Sequence, residues 1–446
     1  MSLRDEYDAY CAAHGTPDRL ELLLCDLNAV LRGKWLPGDE IDKIEAGSVR
    51  LPLSTYAPAI TGSEVKETGL GITVGDPDGV LSPLPGTLKP VPWVRGNVAQ
   101  VLVEMLEPDG AVCTASPRLI LSRVLDRFAA RGLRPVVATE LEFYIVKTRA
   151  HVDEAPEAPL RTPDAQNYDL EVLSRQEALL TGILDACRAQ GLATDTLIAE
   201  YGPGQFEVNF QHTDDAVEAA ETALFFRRLV RGVVARHGME ATFMAKPYAD
   251  HPGSGMHVHA SVLDESGRNI FSPEGDDIAP PLKHAVAGVL ETMRDLHAIF
   301  APHMNSYRRF QAGSFAPSTP DWGVDNRAVA IRLPEIAGPA ARLEHRIGGA
   351  DVNPYLALAA VLGGMLHGIE NASPLPPAVD DPEHEPLDPL THDWATAVER
   401  FAASDIAAEI FGAEYRDIYA AVRRDEIAAL TSIINPVEYR YYLSRF

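Results

Sequence analysis

Glu140, Glu142, Glu200, Glu207, His257 and Glu344 are the side chains with the most chemistry to offer, and each sits in a short patterned context. Glu140 and Glu142 lie two apart in a run that reads as a strand, with Val136 and Val137 before them and Phe143, Tyr144 and Ile145 after. Side chains two apart in a strand share one face. Neighbouring carboxylates make each other's ionisation costly unless a cation lies between them, and a divalent ion is the simplest choice. Glu200 and Glu207 flank the turn Tyr201-Gly202-Pro203-Gly204, after which Phe206, Val208 and Phe210 alternate. Such a turn brings its two ends to one ion, and glycine lets the backbone approach a ligand. Taken alone, these acids read more readily as solvated surface groups. His257 and His259 share a strand face behind Gly253-Ser254-Gly255, whose amides suit a carboxylate or phosphate. A glycine pair of that kind is weak evidence, no Walker-type phosphate loop occurs, and a single histidine more often has a structural role. Jointly the six residues suit two divalent ions in a nucleotide-using site.

The arginines strengthen that reading. Arg308, Arg309, Arg327, Arg332, Arg342 and Arg346 fall within a short stretch of a chain whose acids outnumber its bases, 64 to 39. Guanidinium groups hold phosphate bidentately and stay charged when buried, so a cluster beside metal ligands suits phosphoryl transfer. Pairing with structural acids is the plain alternative. Arg342, Glu344 and Arg346 alternate and share a face.

Positioning such a site requires a large framework. At 446 residues the chain exceeds the usual span of one core, so two domains are expected. With 46% hydrophobic and 23% charged residues it reads as an ordinary globular protein. A formal charge of −25 disfavours nucleic acid and anionic membranes as partners and favours cations and amines. Cys11, Cys25, Cys113 and Cys187 form no CxxC, so neither a disulfide framework nor a thiolate zinc site is expected, which fits a reducing cytoplasm. No apolar leader is seen at the amino end. The most apolar segment, Pro354 to Gly368, falls short of the ~20 residues a bilayer span needs and reads as a buried core helix.

Leu22 to Trp35 has a strand-turn-strand pattern, and residues 52–92 read as short strands and long loops rich in Gly and Pro. Glu107-Pro108-Asp109-Gly110 is a second hairpin signal between Val101-Leu102-Val103 and Val112. Ser116-Pro117 opens an amphipathic helix carrying Leu121, Val124, Leu125 and Phe128, which places a domain boundary near residue 112. Asp214 to His237 reads as a long helix, Ala241 to Met244 as a strand, and Ser373 to Leu390 as an exposed acidic loop.

The motifs Glu140-Leu141-Glu142, Glu200 with Gly204-Gln205-Phe206-Glu207, Gly253 to His259, Asn305-Ser306-Tyr307-Arg308-Arg309, Asn326-Arg327 with Ile331-Arg332, and Arg342 to Arg346 with Asn353-Pro354-Tyr355 resemble, in order and character, those of the glutamine synthetase family. The resemblance implies an α+β fold: an N-terminal β-grasp domain over residues 1–112, then a catalytic domain over residues 113–446 with an antiparallel sheet and surrounding helices. It assigns Glu142, Glu200 and Glu207 to one Mg²⁺ or Mn²⁺ and Glu140, His257 and Glu344 to another. It puts Gly253 and Arg309 at the bound glutamate, His259 and Arg332 near the phosphates of ATP, and Arg327 and Arg346 at the transferring phosphoryl group, with Glu207 beside it. It also implies a homo-dodecamer of two stacked hexamers, each active site lying between one catalytic domain and a neighbour's N-terminal domain.

In that family the ammonium pocket holds a Glu in a Gly-aromatic-Glu-Ala-Pro segment and an Asp in the N-terminal domain. Here the first segment reads Gly313-Ser314-Phe315-Ala316-Pro317, and Arg50 to Tyr56 holds no Asp. Ammonium without acidic partners in an apolar pocket is heavily penalised. A carbon-bearing amine instead gains about 0.8 kcal/mol per CH₂ buried, here against Phe315 and Tyr56. These departures resemble the γ-glutamylpolyamine (γ-glutamylputrescine) synthetases and predict ligation of glutamate to a di- or polyamine, with Glu64 and Glu67 as candidates for the distal ammonium or as plain solvated loop acids. Ligation to a monoamine or ethanolamine, ordinary glutamine synthesis, and a silent scaffold are the alternatives. A scaffold would be expected to have lost metal ligands, and all six are present.

Overall fold

Leu20, Leu22, Leu23 and Leu24 are apolar on both faces of one strand, a pattern that suits the middle of a sheet. In the computed structural model, which describes residues 2–446 except 274, 276 and 312–314, that strand is β1 (Arg19–Cys25). It lies antiparallel to β2 (Leu31–Pro37), as the strand-turn-strand pattern predicts. After β3 (Arg50–Pro52), β4 (Asp78–Pro83) and the two-residue β5 (Lys89–Pro90), the chain returns through β6 (Val98–Leu106), which pairs with β1 in parallel. The order is β2-β1-β6-β4-β3, with β5 on β6. The first strand and the last thus form a parallel central pair flanked by antiparallel strands, as in a β-grasp sheet. The turn at Glu107 to Gly110 forms, with the Glu107 amide donating to the Ala111 carbonyl at 2.7 Å, but the returning chain makes one isolated bridge, Leu106 to Val112.

The second sheet holds β7 (Arg134–Lys147), β8 (Thr194–Ala199), β9 (Gln205–Phe210), β10 (Met239–Thr242), β11 (Met256–Leu263), β12 (Trp322–Val324), β13 (Ile331–Glu335) and β14 (Arg342–His345). Its order is β12-β13-β14-β11-β7-β9-β8, with β10 on β7, and every pair except β12 with β13 is antiparallel. The fold is therefore α+β, with the two sheets drawn from separate stretches of chain. β10 ends earlier than the sequence pattern suggests, because the Thr242 hydroxyl accepts from the Met244 amide at 3.0 Å and turns the chain.

Helices pack around this sheet. Ser116 caps Pro117–Ala129, and Asp215 caps Ala216–Arg236 by accepting from the amides of Val217 and Glu218. Pro354–Asn371 is buried along most of its length, with Asn353 as cap and Pro354 in the first turn. The Asn353 side chain also donates to the Asp26 carbonyl at 3.0 Å, tying this helix to the end of β1. Ser373 to Leu390 is irregular and largely exposed, as expected. No helix among the described residues is long and apolar enough to cross a membrane, and all four cysteines are free.

Candidate active site

Strand register builds the site. Across β7 and β11, Glu140 is the partner of His257, and across β7 and β9, Glu142 is the partner of Glu207. His259 is opposite Glu344, and Glu344 is opposite Arg332. Period-two alternation on four adjacent strands and their neighbour β13 therefore lays one polar stripe across the sheet. Glu200 joins it from the residue after β8, where the turn closes by a bond from the Gln205 amide to the Gly202 carbonyl at 2.9 Å. Gly204 has φ +78°, a conformation that side chains rarely adopt.

All six expected metal ligands line a cavity of about 1010 Å³, together with Gly253, Arg309, Phe315, Arg327, Arg332 and Arg346. Glu140, Glu207 and His257 offer ligand atoms that all lie within 4.8 Å of one another, and so do Glu140, His259 and Glu344, of which His259 is not among the residues lining the cavity. The tightest groups thus divide the ligands differently from the family-derived assignment. Glu142 accepts through one oxygen from the Gly255 amide at 2.8 Å and from the Gln205 side chain at 3.3 Å, and its other oxygen lies 4.0 Å from His257 Nε2. His259 donates through Nε2 to Glu140 at 2.9 Å, because its Nδ1 accepts from Arg342 at 3.3 Å.

The electrostatics suit a divalent cation. Burial pushes the Glu200 carboxyl up to about 7, and the charge on Glu142 adds to it. Burial, then Glu140 and Glu142, push Glu207 well above the usual carboxylate range. Burial also works against ionised Glu140, but hydrogen bonds with His257 at 3.1 Å and with His259 hold it well below that range. Glu344 is likewise held low against its burial, by His257 and Arg346, and Arg332 binds it at 3.0 Å. Crowded, partly protonated carboxylates with an imidazole among them form the hard oxygen and nitrogen donor set that Mg²⁺ or Mn²⁺ takes.

The remaining expected residues are distributed unevenly. Arg309 is buried beside Gly253, where a β-carbon would collide with its side chain, and donates to the Ile347 carbonyl at 2.7 Å. Arg332 also binds Asp325 at 2.7 Å, Arg346 pairs with Glu344, and Arg327 donates to the Tyr168 hydroxyl at 3.3 Å. Phe315 projects into the cavity with its ring 5.1 Å from that of Tyr201. Tyr56 is the exception. Its ring is 1% exposed inside the N-terminal sheet's core and its hydroxyl accepts from the Met105 amide, so it presents no surface to an amine. Packing, not ligand contact, explains that residue. Glu64 accepts from the Ile72 amide of its own loop, and Glu67 lies beside Asp417 and Arg424, so neither lines the cavity of its own chain.

Residues 114–442 match the family model for the glutamine synthetase catalytic domain. The chain belongs to the glutamine synthetase family. The γ-glutamylputrescine synthetase PuuA of Escherichia coli (strain K12) is 37% identical to it over 98% of this chain and 94% of that protein. The γ-glutamylethanolamide synthetase GlnA4 of Streptomyces coelicolor is 36% identical over 81% of this chain and 78% of that protein. A solved GmaS–ADP complex superposes with a TM-score of 0.84 at 26% identity, covering 98% of this chain and 99% of that one. Membership makes the chain a carbon–nitrogen ligase that forms γ-glutamyl amides, in a family whose enzymes use divalent metal ions and ATP.

Several cavity residues had no role assigned from sequence. Gln205 and Asn209 flank Glu207 at a spacing of two, so the same alternation that picks out Glu207 marks them. Tyr168 lines the cavity from an irregular stretch with no periodicity, and from the same stretch Gln166 reaches the Glu200 to Glu207 turn from outside the cavity; only the folded chain brings them in.

Proposed function

We propose that this ligase joins the γ-carboxylate of L-glutamate to a primary amine of a di- or polyamine such as putrescine or spermidine, through γ-glutamyl phosphate, releasing ADP and phosphate. The observation that carries the reading is Phe315, standing with Tyr201 where the family's ammonium pocket carries an acid. Two aromatic rings attract an alkylammonium through their faces and cover its methylenes, whereas bare ammonium lacks the carboxylate that the family's Gly-aromatic-Glu-Ala-Pro segment supplies. The full-length similarity to a γ-glutamylputrescine synthetase supports the same class.

In this reading Gly253 and Arg309 hold glutamate, His259 and Arg332 orient the nucleotide phosphates, and Arg327 and Arg346 face the transferring phosphoryl group. Glu140, Glu142, Glu200, Glu207, His257 and Glu344 hold the divalent ions. Bound there, Mg²⁺ or Mn²⁺ supplies the charge neutralisation that lets an anionic carboxylate approach the γ-phosphate. Arg346 and Arg332 are already fixed by Glu344, so little ordering is left for the reaction itself. The amine then displaces phosphate from the anhydride, with the carboxylates of the Glu200 to Glu207 turn nearby. A homo-dodecamer with sites between subunits belongs to the same proposal.

A second reading, a monoamine or ethanolamine acceptor, draws on the similarity to the ethanolamide synthetase. Phosphate release from purified enzyme across ammonium, putrescine, spermidine, ethanolamine and short alkylamines decides among them. The expected order puts putrescine or spermidine first in kcat/KM. Ammonium as best acceptor overturns the amine class, and release with no acceptor overturns the ligase assignment.

A further inference from the structure

A second cavity, of about 360 Å³, lies behind the strand that carries Glu207. Alternation along β9 separates the two spaces: Gln205 and Glu207 line the active-site cavity, while Gly204 and Phe206 line the other. One strand thickness therefore divides them. The volume is within the range of small-molecule sites, and Pro159, Pro163, Val172 and Phe206 give it apolar walls.

Its charge is opposite to that of the chain as a whole. Arg161 and Arg175 line it, and no Asp or Glu is among the described residues that do so, although acids outnumber bases 64 to 39 overall. Neither guanidinium is hydrogen-bonded or ion-paired to any described residue. Two arginines beside an apolar rim suit a small organic anion, with its charge on the guanidinium groups and its carbon body on Leu160 and Pro163.

The wall shared with the catalytic turn is Gln166, which is 3% exposed. Its Oε1 accepts from the Gly204 amide at 3.0 Å, and its Nε2 donates to the carbonyls of Gln205 at 2.8 Å and Glu200 at 3.3 Å. One side chain thus fixes three backbone groups between the two expected ligands, Glu200 and Glu207. We propose that this second cavity is an effector site for a small organic carboxylate or phosphate ester, and that its occupancy, relayed through Gln166, sets the divalent-ion affinity of the Glu200 to Glu207 turn. This goes beyond the ligase reading and does not depend on which amine is used.

Calorimetric titration of the full-length protein with benzoate and, separately, phenyl phosphate tests the site. Binding is expected for at least one, retained in Glu207→Gln and lost in the Arg161→Ala/Arg175→Ala double variant, whose exposed replacements leave the melting curve in place. Benzoate alone identifies a carboxylate ligand, phenyl phosphate alone a phosphate ester, and both together a general organic-anion site. Saturation is expected to shift Mn²⁺ affinity about fivefold or more, and Gln166→Ala is expected to abolish the shift while keeping anion binding. No binding of either probe, or equal binding by the double variant, overturns the site. Binding with unchanged Mn²⁺ affinity overturns its coupling to the turn.

Discussion

Glu200 and Glu207 hold protons that ordinary carboxyls release, and this has a consequence for pH. With its folded value pushed up to about 7, Glu200 binds more protons in the native than in the unfolded protein between the ordinary carboxyl range and neutrality. The contribution of Glu200 to the stability of the metal-free protein is therefore lost as pH rises through that window, and Glu207, raised for the same reasons, contributes in the same direction, whereas the buried His297 and His345, whose pKa values burial lowers, contribute in the opposite one. A divalent ion must displace these protons, so Mn²⁺ affinity should strengthen with rising pH and level off once Glu200 and Glu207 have both ionised. Calorimetry in buffers of different ionisation heat would report the proton release directly, and a flat affinity from mildly acid to mildly alkaline solution would contradict it. Gln205 supports the acid cluster from within the cavity wall, donating to Glu142 and, at 3.0 Å, to the Gly253 carbonyl and accepting from the Gly202 amide at 3.0 Å. Gln205→Leu keeps the volume and removes all three bonds, so metal affinity should fall roughly 10–100-fold, with a lower melting point but a single cooperative transition. At this scale the sequence was legible wherever a strand carried the residue, since Glu140, Glu142, Glu207, His257 and His259 all follow from alternation. It was illegible at Gln166 and Tyr168, whose approach to the site is decided by a loop, and misleading at Tyr56, where an aromatic ring serves the core.

Among the elements, the helix pair Pro280–Met293 and Pro354–Asn371 has the closest approach that can be tested. A β-carbon on Gly368 would collide with the His284 carbonyl oxygen, and one on Gly288 with the Gly364 carbonyl oxygen, so the two backbones touch where only glycine fits. Gly368→Ala should force the pair apart and cost roughly 1–3 kcal/mol, read as a shift in urea midpoint with little change in slope. Because Pro354–Asn371 is apolar nearly all round, its helical period is faint; the Asn353-Pro354 cap and the length of the apolar run were what made it recognisable. Element ends were harder to read. β10 stops where the Thr242 hydroxyl accepts from the Met244 amide, and the strand after Gly110 shrinks to one bridge, local details that propensity does not register.

For the whole molecule, the question is what fixes the N-terminal sheet to the catalytic one. Arg423 and Glu426, on the helix Ala413–Thr431, are 1% and 0% exposed and paired at 2.7 Å. Arg423 also donates to the Asn28 side chain at 2.6 Å, and Glu426 accepts from the Ile60 amide at 2.6 Å, so the pair joins segments almost the full chain length apart. Two sites nearly four hundred residues apart share no local pattern, which is why this junction could not be anticipated from sequence. Taking both ions out of water offsets much of their attraction, so the pair specifies where the sheet docks more than it stabilises the fold. The two kinds of variant should therefore behave differently. Arg423→Met alone leaves Glu426 charged and buried, and should cost about 3–5 kcal/mol. Arg423→Met/Glu426→Met removes the stranded charge, and should recover most of that loss while losing the bonds to Asn28 and Ile60. A double-mutant cycle by urea denaturation measures the coupling, and limited proteolysis of the doubly substituted protein measures docking. If the double variant is as unstable as the single one, the penalty comes from lost packing around Tyr419 and Asn28 and the ion pair is not the junction's organising contact.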